Sequence, residues 1–317
     1  MVIVFFGTPK FAVPSLEALI ASRHRVPLVV TQPDKRRDRG QKVTDAPVKA
    51  AARLHGIPVF QPERLRDPEV AGVLREHAPD IAVVAAYGKL IPPDLLRVPR
   101  RGMINVHASL LPKYRGAAPV HRAILNGELE TGVTIMQVVE ALDAGDMLAK
   151  SRRLIGPDET SEELEQALAE DGARLLLHTI EQIEAGTSTP EPQDHSASSY
   201  APRLRKDEGL IDWTRPAREI HNRVRGLYPW PHTYSYLDGA RVIVLTTQVR
   251  LKADTPRGPG TTAPPGTIVD VTRDAIDVLT GEGIIAITEL QPEGRRTMSA
   301  RDFVAGRPVH PAMTFGS

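Results

Sequence analysis

Cysteine is absent from this 317-residue sequence, which excludes disulfides, thiolate nucleophiles and cysteine-bound zinc or iron–sulfur centres. An excess of one charge sign is missing too. Lys and Arg number 40 against 39 Asp and Glu, a formal net charge of +1, and such a balance neither requires nor forbids a nucleic-acid partner, because binding depends on where the charges lie. No apolar run reaches the length of a membrane span. The chain passes directly into Val2 to Phe6 without the basic flank and cleavage site of a signal peptide, so a cytoplasmic location is expected. A dinucleotide fingerprint is also lacking: Gly7-Thr8-Pro9 follows the first apolar run, but Pro9 and Lys10 stand where the second glycine belongs, which argues against NAD.

What is present is a soluble globular composition, 41% hydrophobic and 25% charged, in a chain long enough for two domains. Short β-rich runs at Val2 to Phe6, Val26 to Thr31, Pro58 to Phe60, Ile81 to Ala85 and Met103 to His107 alternate with helical stretches, the pattern of a parallel α/β sheet. Thr160 and Glu163 form a capping-box signature ahead of Leu164, Leu168, Leu175, Leu176, Ile180 and Ile183, which predicts a helix closing the first domain. From Ala185 to Pro202 the chain turns to Gly, Ser, Thr and Pro without apolar period, as an interdomain linker does. Beyond it come an Arg-rich helical segment near Ala217 to Arg225 and alternating runs at Tyr234 to Leu237, Val242 to Thr246, Thr267 to Val271, Ala275 to Leu279 and Ile284 to Glu289. These predict a small β-barrel, with a loop over Ala253 to Gly266. The expected division is a catalytic domain over 1–189, a linker over 190–205 and a barrel over 206–317.

The chemistry concentrates in Ile104 to Pro112, answered by Leu142 to Asp146. Met103, Ile104 and Val106 point to a buried strand, and its period of two puts Asn105 and His107 on the same side, about 7 Å apart along the axis. Asp143 follows another apolar run, Val133 to Val139, in a Gly-containing loop that can bring its carboxylate beside the imidazole. Asp146 competes for that role on local spacing. His121 falls in a helix after Pro119 and reads as structural.

The wider block from Asn105 to Pro119 resembles the core of the formyltransferases that use 10-formyltetrahydrofolate. The similarity extends to Phe6 to Glu17, Gly209 to Thr214, Gly226 to Pro231 and Pro292 to Phe303, nearly the whole chain. Membership implies a Rossmann-like parallel-sheet formyltransferase domain followed by an OB-like C-terminal barrel. It also implies that Asn105 donates to the formyl oxygen, that His107 stabilises the oxyanion and moves protons, and that Asp143 rather than Asp146 orients the ring. Ser109, Leu110, Leu111 and Pro112 match the folate-binding signature, with Gly88, Lys89 and Leu90 supplying further contacts; neither a metal nor a covalent enzyme intermediate is expected.

Within the family, the branch that formylates methionyl-initiator tRNA inserts a basic loop at the acceptor end of the tRNA. Lys35, Arg36, Arg37, Arg39 and Lys42 occupy that position here, set against one acid, Asp38. Arg36 and Arg37 depart from the small or proline residues usual there, and Lys10 stands where an acidic residue is common. Other acceptors, an amino-sugar nucleotide or water, fit the same chemistry but not the basic loop and barrel. A non-catalytic RNA-binding protein would have no use for Asn105, His107 and Asp143 together. A monomer is expected.

Overall fold

A computed structural model of the chain describes residues 1–34, 45–250 and 263–316. The basic segment Lys35, Arg36, Arg37, Arg39 and Lys42 lies outside the described residues, as does most of the loop expected over Ala253 to Gly266.

The strands in chain order begin with β1 (Val2–Gly7), β2 (Arg25–Val30), β3 (Val59–Phe60), β4 (Ile81–Ala85), β5 (Met103–His107), β6 (Arg115–Gly116), β7 (Glu130–Gln137), β8 (Met147–Leu154) and β9 (Tyr200–Ala201). They continue with β10 (Thr233–Leu237), β11 (Ala240–Arg250), β12 (Ile268–Val271), β13 (Ile276–Leu279), β14 (Ile284–Pro292), β15 (Met298–Ser299) and β16 (Phe315–Gly316). The helices are α1 (Val13–Ala21), α2 (Pro47–Leu54), α3 (Pro68–Glu76), α4 (Pro93–Leu96), α5 (Pro119–Leu125), α6 (Ser161–Ala185), α7 (Ala217–Gly226) and α8 (Ala300–Gly306). The chain divides into two compact units. One comprises Met1–Pro119, Glu130–Leu154 and Glu165–Pro202; the other comprises Val120–Leu129, Ile155–Leu164 and Arg203–Ser317.

The first unit carries a seven-stranded sheet in the order β3-β2-β1-β4-β5-β7-β8. β1 to β5 pair in parallel, as the alternating pattern requires, whereas β7 and β8 run antiparallel on the β5 side. Continuous apolar runs make the central strands: Ile81, Ala82, Val83, Val84 and Ala85 are all buried, because helices cover both faces of such a sheet. β2 and β3 extend to one side of β1 while β4 and β5 extend to the other, so the strand order reverses between β1 and β4. Ligands of open α/β sheets gather at the carboxyl ends of strands near such a reversal, and His107 is the last residue of β5. Thr160 and Glu163 cap α6 reciprocally: the Thr160 N–H donates to Glu163 Oε2 at 2.9 Å, and the Glu163 N–H donates to Thr160 Oγ1 at 3.3 Å. The backbone bond and the hydroxyl bond from Thr160 hold the Glu163 carboxyl below its ordinary range.

The segment after α6, expected as a linker, folds onto the first unit as far as Pro202. Glu191 and Met147 exchange two backbone hydrogen bonds of 2.8 Å, and β9 pairs in parallel with β6. Most of its residues stay exposed, but Gln193 is buried and bonds the backbone of the 143–145 loop.

In the second unit an antiparallel sheet in the order β12-β13-β14-β11-β10-β16 wraps around Ile211, Trp213, Ile220, Val224, Val242, Ile285, Ile287 and Phe315, all buried. Trp213 satisfies its indole N–H on Ser235 Oγ at 2.9 Å, as a buried tryptophan must. The β10–β11 hairpin turns on Asp238 and Gly239, with φ of 49° and 74°, the left-handed pair that a two-residue turn needs to match strand twist.

Candidate active site

β5 presents Asn105 and His107 on one side of the sheet, and three loops meet them. His107 is buried, and its Nε2 lies 2.9 Å from the Tyr114 carbonyl. A carbonyl only accepts, so Nε2 carries the proton and Nδ1 is left to face the site. Asp143 Oδ2 stands 3.8 Å from that Nδ1, too far for a direct hydrogen bond and close enough for a charge pair. The same oxygen accepts the Gly116 N–H at 2.8 Å, a charge-assisted bond that pins the carboxylate. Asn105 is partly exposed, and among the described residues its carboxamide makes no hydrogen bond.

The left-handed backbone of Asp143, φ 49°, turns the chain back toward β5, a conformation that costs a non-glycine residue energy unless its surroundings hold it. Gly145 passes so close to the Gln137 carbonyl that a Cβ there would collide with it. Gly116, at φ 114°, lies where a Cβ would meet the Tyr200 ring at 2.7 Å and the Ala201 carbonyl at 2.8 Å. Asp146 forms no hydrogen bond or ion pair with His107; its backbone carbonyl accepts the Gln137 N–H at 2.8 Å.

The turn after β5 is built inward. Ser109 is fully buried and donates its hydroxyl to the Lys113 carbonyl at 2.7 Å. Thr134, opposite His107 in the β5–β7 ladder, donates to the Ser109 carbonyl at 2.7 Å and accepts the Leu111 N–H at 3.1 Å. Leu111 packs with Met136 and Met147, Leu110 is partly exposed, and the Leu111–Pro112 peptide is cis. The turn is thus rigid by satisfaction of its own polar groups.

On the β4 side, Gly88 sits at φ 81° against the Gln32 amide, which donates to the Tyr87 carbonyl at 2.6 Å. Lys89 Nζ is taken up by the Glu63 carbonyl at 2.7 Å, and Leu90 is exposed. Burial pushes the Tyr87 phenol up to about 12. His121, in α5, is pushed down to about 4 by burial and by the Arg122 charge beside it.

Several residues that hold the site were not singled out by sequence reasoning: Thr134, Gln193, Ser199 and the backbone of Tyr114 and Gly116. Tyr114 and Gly116 lie inside the recognisable block. Thr134 becomes visible only once the β5–β7 register is known, and Gln193 lies 50 residues beyond Asp143 with no motif around it.

A formyl transferase family model matches residues 1–180, and the model of the formyl transferase C-terminal domain matches residues 203–308. The chain belongs to the formyltransferase family. It is 47% identical over 317 residues to methionyl-tRNA formyltransferase of Heliobacterium modesticaldum, covering 100% of both chains. With the enzyme of that name from Geobacter metallireducens it shares 46% over 314 residues, 99% of this chain and 98% of the other. The resemblance of the motif block is therefore matched by likeness along the full length. Among solved structures, the N-formyltransferase from Helicobacter canadensis, bound to folinic acid and dTDP-3-aminofucose, superposes with a TM-score of 0.65 at 19% identity. That match covers 90% of this chain and 99% of the other. HypX from Aquifex aeolicus with tetrahydrofolic acid gives 0.63 at 16%, covering 99% and 50%. At these identities the structural likeness speaks for the fold alone.

Proposed function

We propose that this formyltransferase moves the formyl group of 10-formyltetrahydrofolate onto the amino group of methionyl-initiator tRNA, for translation initiation. The observation that carries the chemistry is a carboxamide at Asn105, unpartnered among the described residues, beside an imidazole whose Nδ1 faces a pinned carboxylate. The full-length likeness to methionyl-tRNA formyltransferases supports the acceptor.

Attack of the neutral amine on the formyl carbon forms a C–N bond and puts negative charge on the formyl oxygen. Cleavage of the bond to the folate nitrogen then returns that electron pair to folate, while the amine loses a proton and the folate nitrogen gains one. Asn105 donates to the oxygen where charge develops, the place at which a fixed dipole does most for the rate. His107 assists the same oxygen and carries the proton, and Asp143 fixes the ring and stabilises positive charge on it. Free α-amines titrate near pH 7.7 to 8.0, so no strong base is needed. Folate lies against Ser109, Leu110, Leu111 and Pro112 and against Gly88, Lys89 and Leu90. Since Ser109 and Leu111 are committed to the interior, the first turn meets folate mainly through its backbone and Leu110.

In the same reading, Lys35, Arg36, Arg37, Arg39 and Lys42 contact the tRNA backbone, and residues 206–317 form an OB-like tRNA-binding domain after a catalytic domain at 1–189. The enzyme works in the cytoplasm as a monomer and uses no metal. A formyl-transfer assay offering charged initiator and charged elongator tRNA tests the acceptor; equal use of both, or of neither, overturns it. Replacing Arg36, Arg37 and Arg39 by Ala together should flatten the salt dependence of tRNA binding, because fewer counterions are released.

A further inference from the structure

Gln193 lies in the polar segment after α6, is 5% exposed, and uses its whole side-chain capacity on the 143–145 loop and on Arg115 of β6, all in the first unit. Its Nε2 donates to the Asp143 carbonyl at 2.9 Å and to the Gly145 carbonyl at 2.7 Å. Its Oε1 accepts from Arg115 Nε at 3.1 Å and Nη2 at 2.6 Å. Two donors and both lone pairs are engaged, and the amide orientation is unambiguous: turned over, its oxygen would face two carbonyls and its NH2 a guanidinium. Gly116, next to Arg115, donates its N–H to the Asp143 carboxylate. Arg115, Gln193 and the 143–145 backbone therefore close a circuit around the carboxylate that faces His107. The same segment braces the loop carrying the His107 partner: the Tyr114 N–H donates to Ser199 Oγ at 2.9 Å, and the Arg115 N–H donates to the Ser199 carbonyl at 2.8 Å.

We propose that Gln193 is a positioning residue for Asp143, holding the left-handed 143–145 turn at the distance from His107 that formyl transfer requires. The proposal rests on the reading of Asn105, His107 and Asp143 as the catalytic set. Without the two amide donors, the carbonyls of Asp143 and Gly145 lose their partner and the strained turn relaxes, carrying the carboxylate away from Nδ1. Displacement by about 1 Å is enough to cost on the order of 100-fold in rate.

Gln193→Glu separates positioning from packing. The glutamate keeps an acceptor for Arg115 but offers no donor to the two carbonyls. Gln193→Met keeps the side-chain bulk and removes both functions. Steady-state kinetics of each in the full chain, with thermal unfolding to establish the folded fraction, should show kcat reduced by about 10- to 100-fold. KM for the formyl donor and for the charged tRNA should stay within about threefold of the parent, since only the transition-state contact is lost. In an Asp143→Asn background, Gln193→Glu should cause no further loss. Parental kcat in both Gln193 variants beside an impaired Asp143→Asn overturns the proposal, as does a loss that merely tracks the folded fraction. Full turnover by Asp143→Asn alone would bring down the catalytic reading itself, and the proposal with it.

Discussion

His107 in the first unit and His221 in the second are both buried, and each spends Nε2 on a backbone carbonyl, Tyr114 at 2.9 Å and Pro157 at 3.0 Å. They part company at the other nitrogen. His221 Nδ1 meets Thr247 Oγ1 at 3.0 Å, so both of its ring nitrogens have partners. Burial holds His221 below the ordinary histidine range, against the pull of the Asp158 carboxylate 3.3 Å from its Nε2. His107 Nδ1 has a carboxylate at 3.8 Å and a neighbour, Asn105, whose amide is uncommitted among the described residues. Asn222 extends the contrast, because its Oδ1 accepts from Arg225 Nε at 3.1 Å and Nη2 at 2.9 Å. Polarity in the interior is common to both units. What sets the Asn105 and His107 pair apart is polarity left over after the fold has been satisfied, and on the proposed reading an unspent donor can serve a transition state without first breaking a bond.

The sharpest way to break this comparison is to truncate the two asparagines. Asn105→Ala should lower turnover by roughly 100- to 1,000-fold, the usual cost of an oxyanion donor, with an unchanged melting temperature because its carboxamide bonds none of the described residues. Near-parental turnover would remove Asn105 from the proposed mechanism. Asp143→Asn should follow at about 100-fold, the lower range for general acid–base assistance, while Asp146→Asn stays close to the parent. A larger loss from Asp146→Asn would mean that the wrong aspartate has been assigned.

Asn222→Ala should do the opposite of Asn105→Ala, leaving specific activity of the folded protein unchanged. It should destabilise by about 1 to 3 kcal/mol, since a buried guanidinium is left short of an acceptor. Thr134→Val tests the boundary case, a residue that serves the fold beneath the site. Loss of its hydroxyl strands the Ser109 carbonyl and the Leu111 N–H, predicting destabilisation of about 1 to 3 kcal/mol and a raised KM for the formyl donor, with kcat nearly retained. Denaturant titration beside steady-state kinetics checks both variants.

The smallest effect is acid sensitivity. His121 is depressed to about 4, and burial lowers His221 as well, whereas unfolded histidine titrates near 6.5. Between those values the unfolded chain binds more protons, so stability is fully present above about pH 6.5 and is lost as pH falls toward 4. Melting temperature should drop between pH 7 and pH 5, and His121→Asn should flatten that drop. An unchanged slope would place the sensitivity elsewhere.

Much of this was open to sequence reading where physics is local. The continuous apolar runs of β1, β4 and β5 define their own burial, the period of two places Asn105 and His107 together, Asp238-Gly239 specifies its turn, and Thr160 with Glu163 caps its helix through neighbours three residues apart. The antiparallel β7 and β8 were not legible in this way, because an apolar run carries no direction. In the polar stretch before Pro202, the roles of Gln193 and Ser199 were hidden for a related reason: the groups they bond lie 50 and 85 residues away in the chain.

By itself the sequence determined that Asn105 and His107 share one side of a strand, since a carboxamide and an imidazole two positions apart on a buried strand point the same way in any fold that keeps the strand. Only the tertiary structure decided which of the two aspartates reaches the imidazole, which proton the ring holds, and that Thr134 and Gln193 hold the loops in place. Those choices depend on strand register and on hydrogen bonds closed across 7 to 50 residues of chain, and such contacts carry no periodicity for a sequence to display.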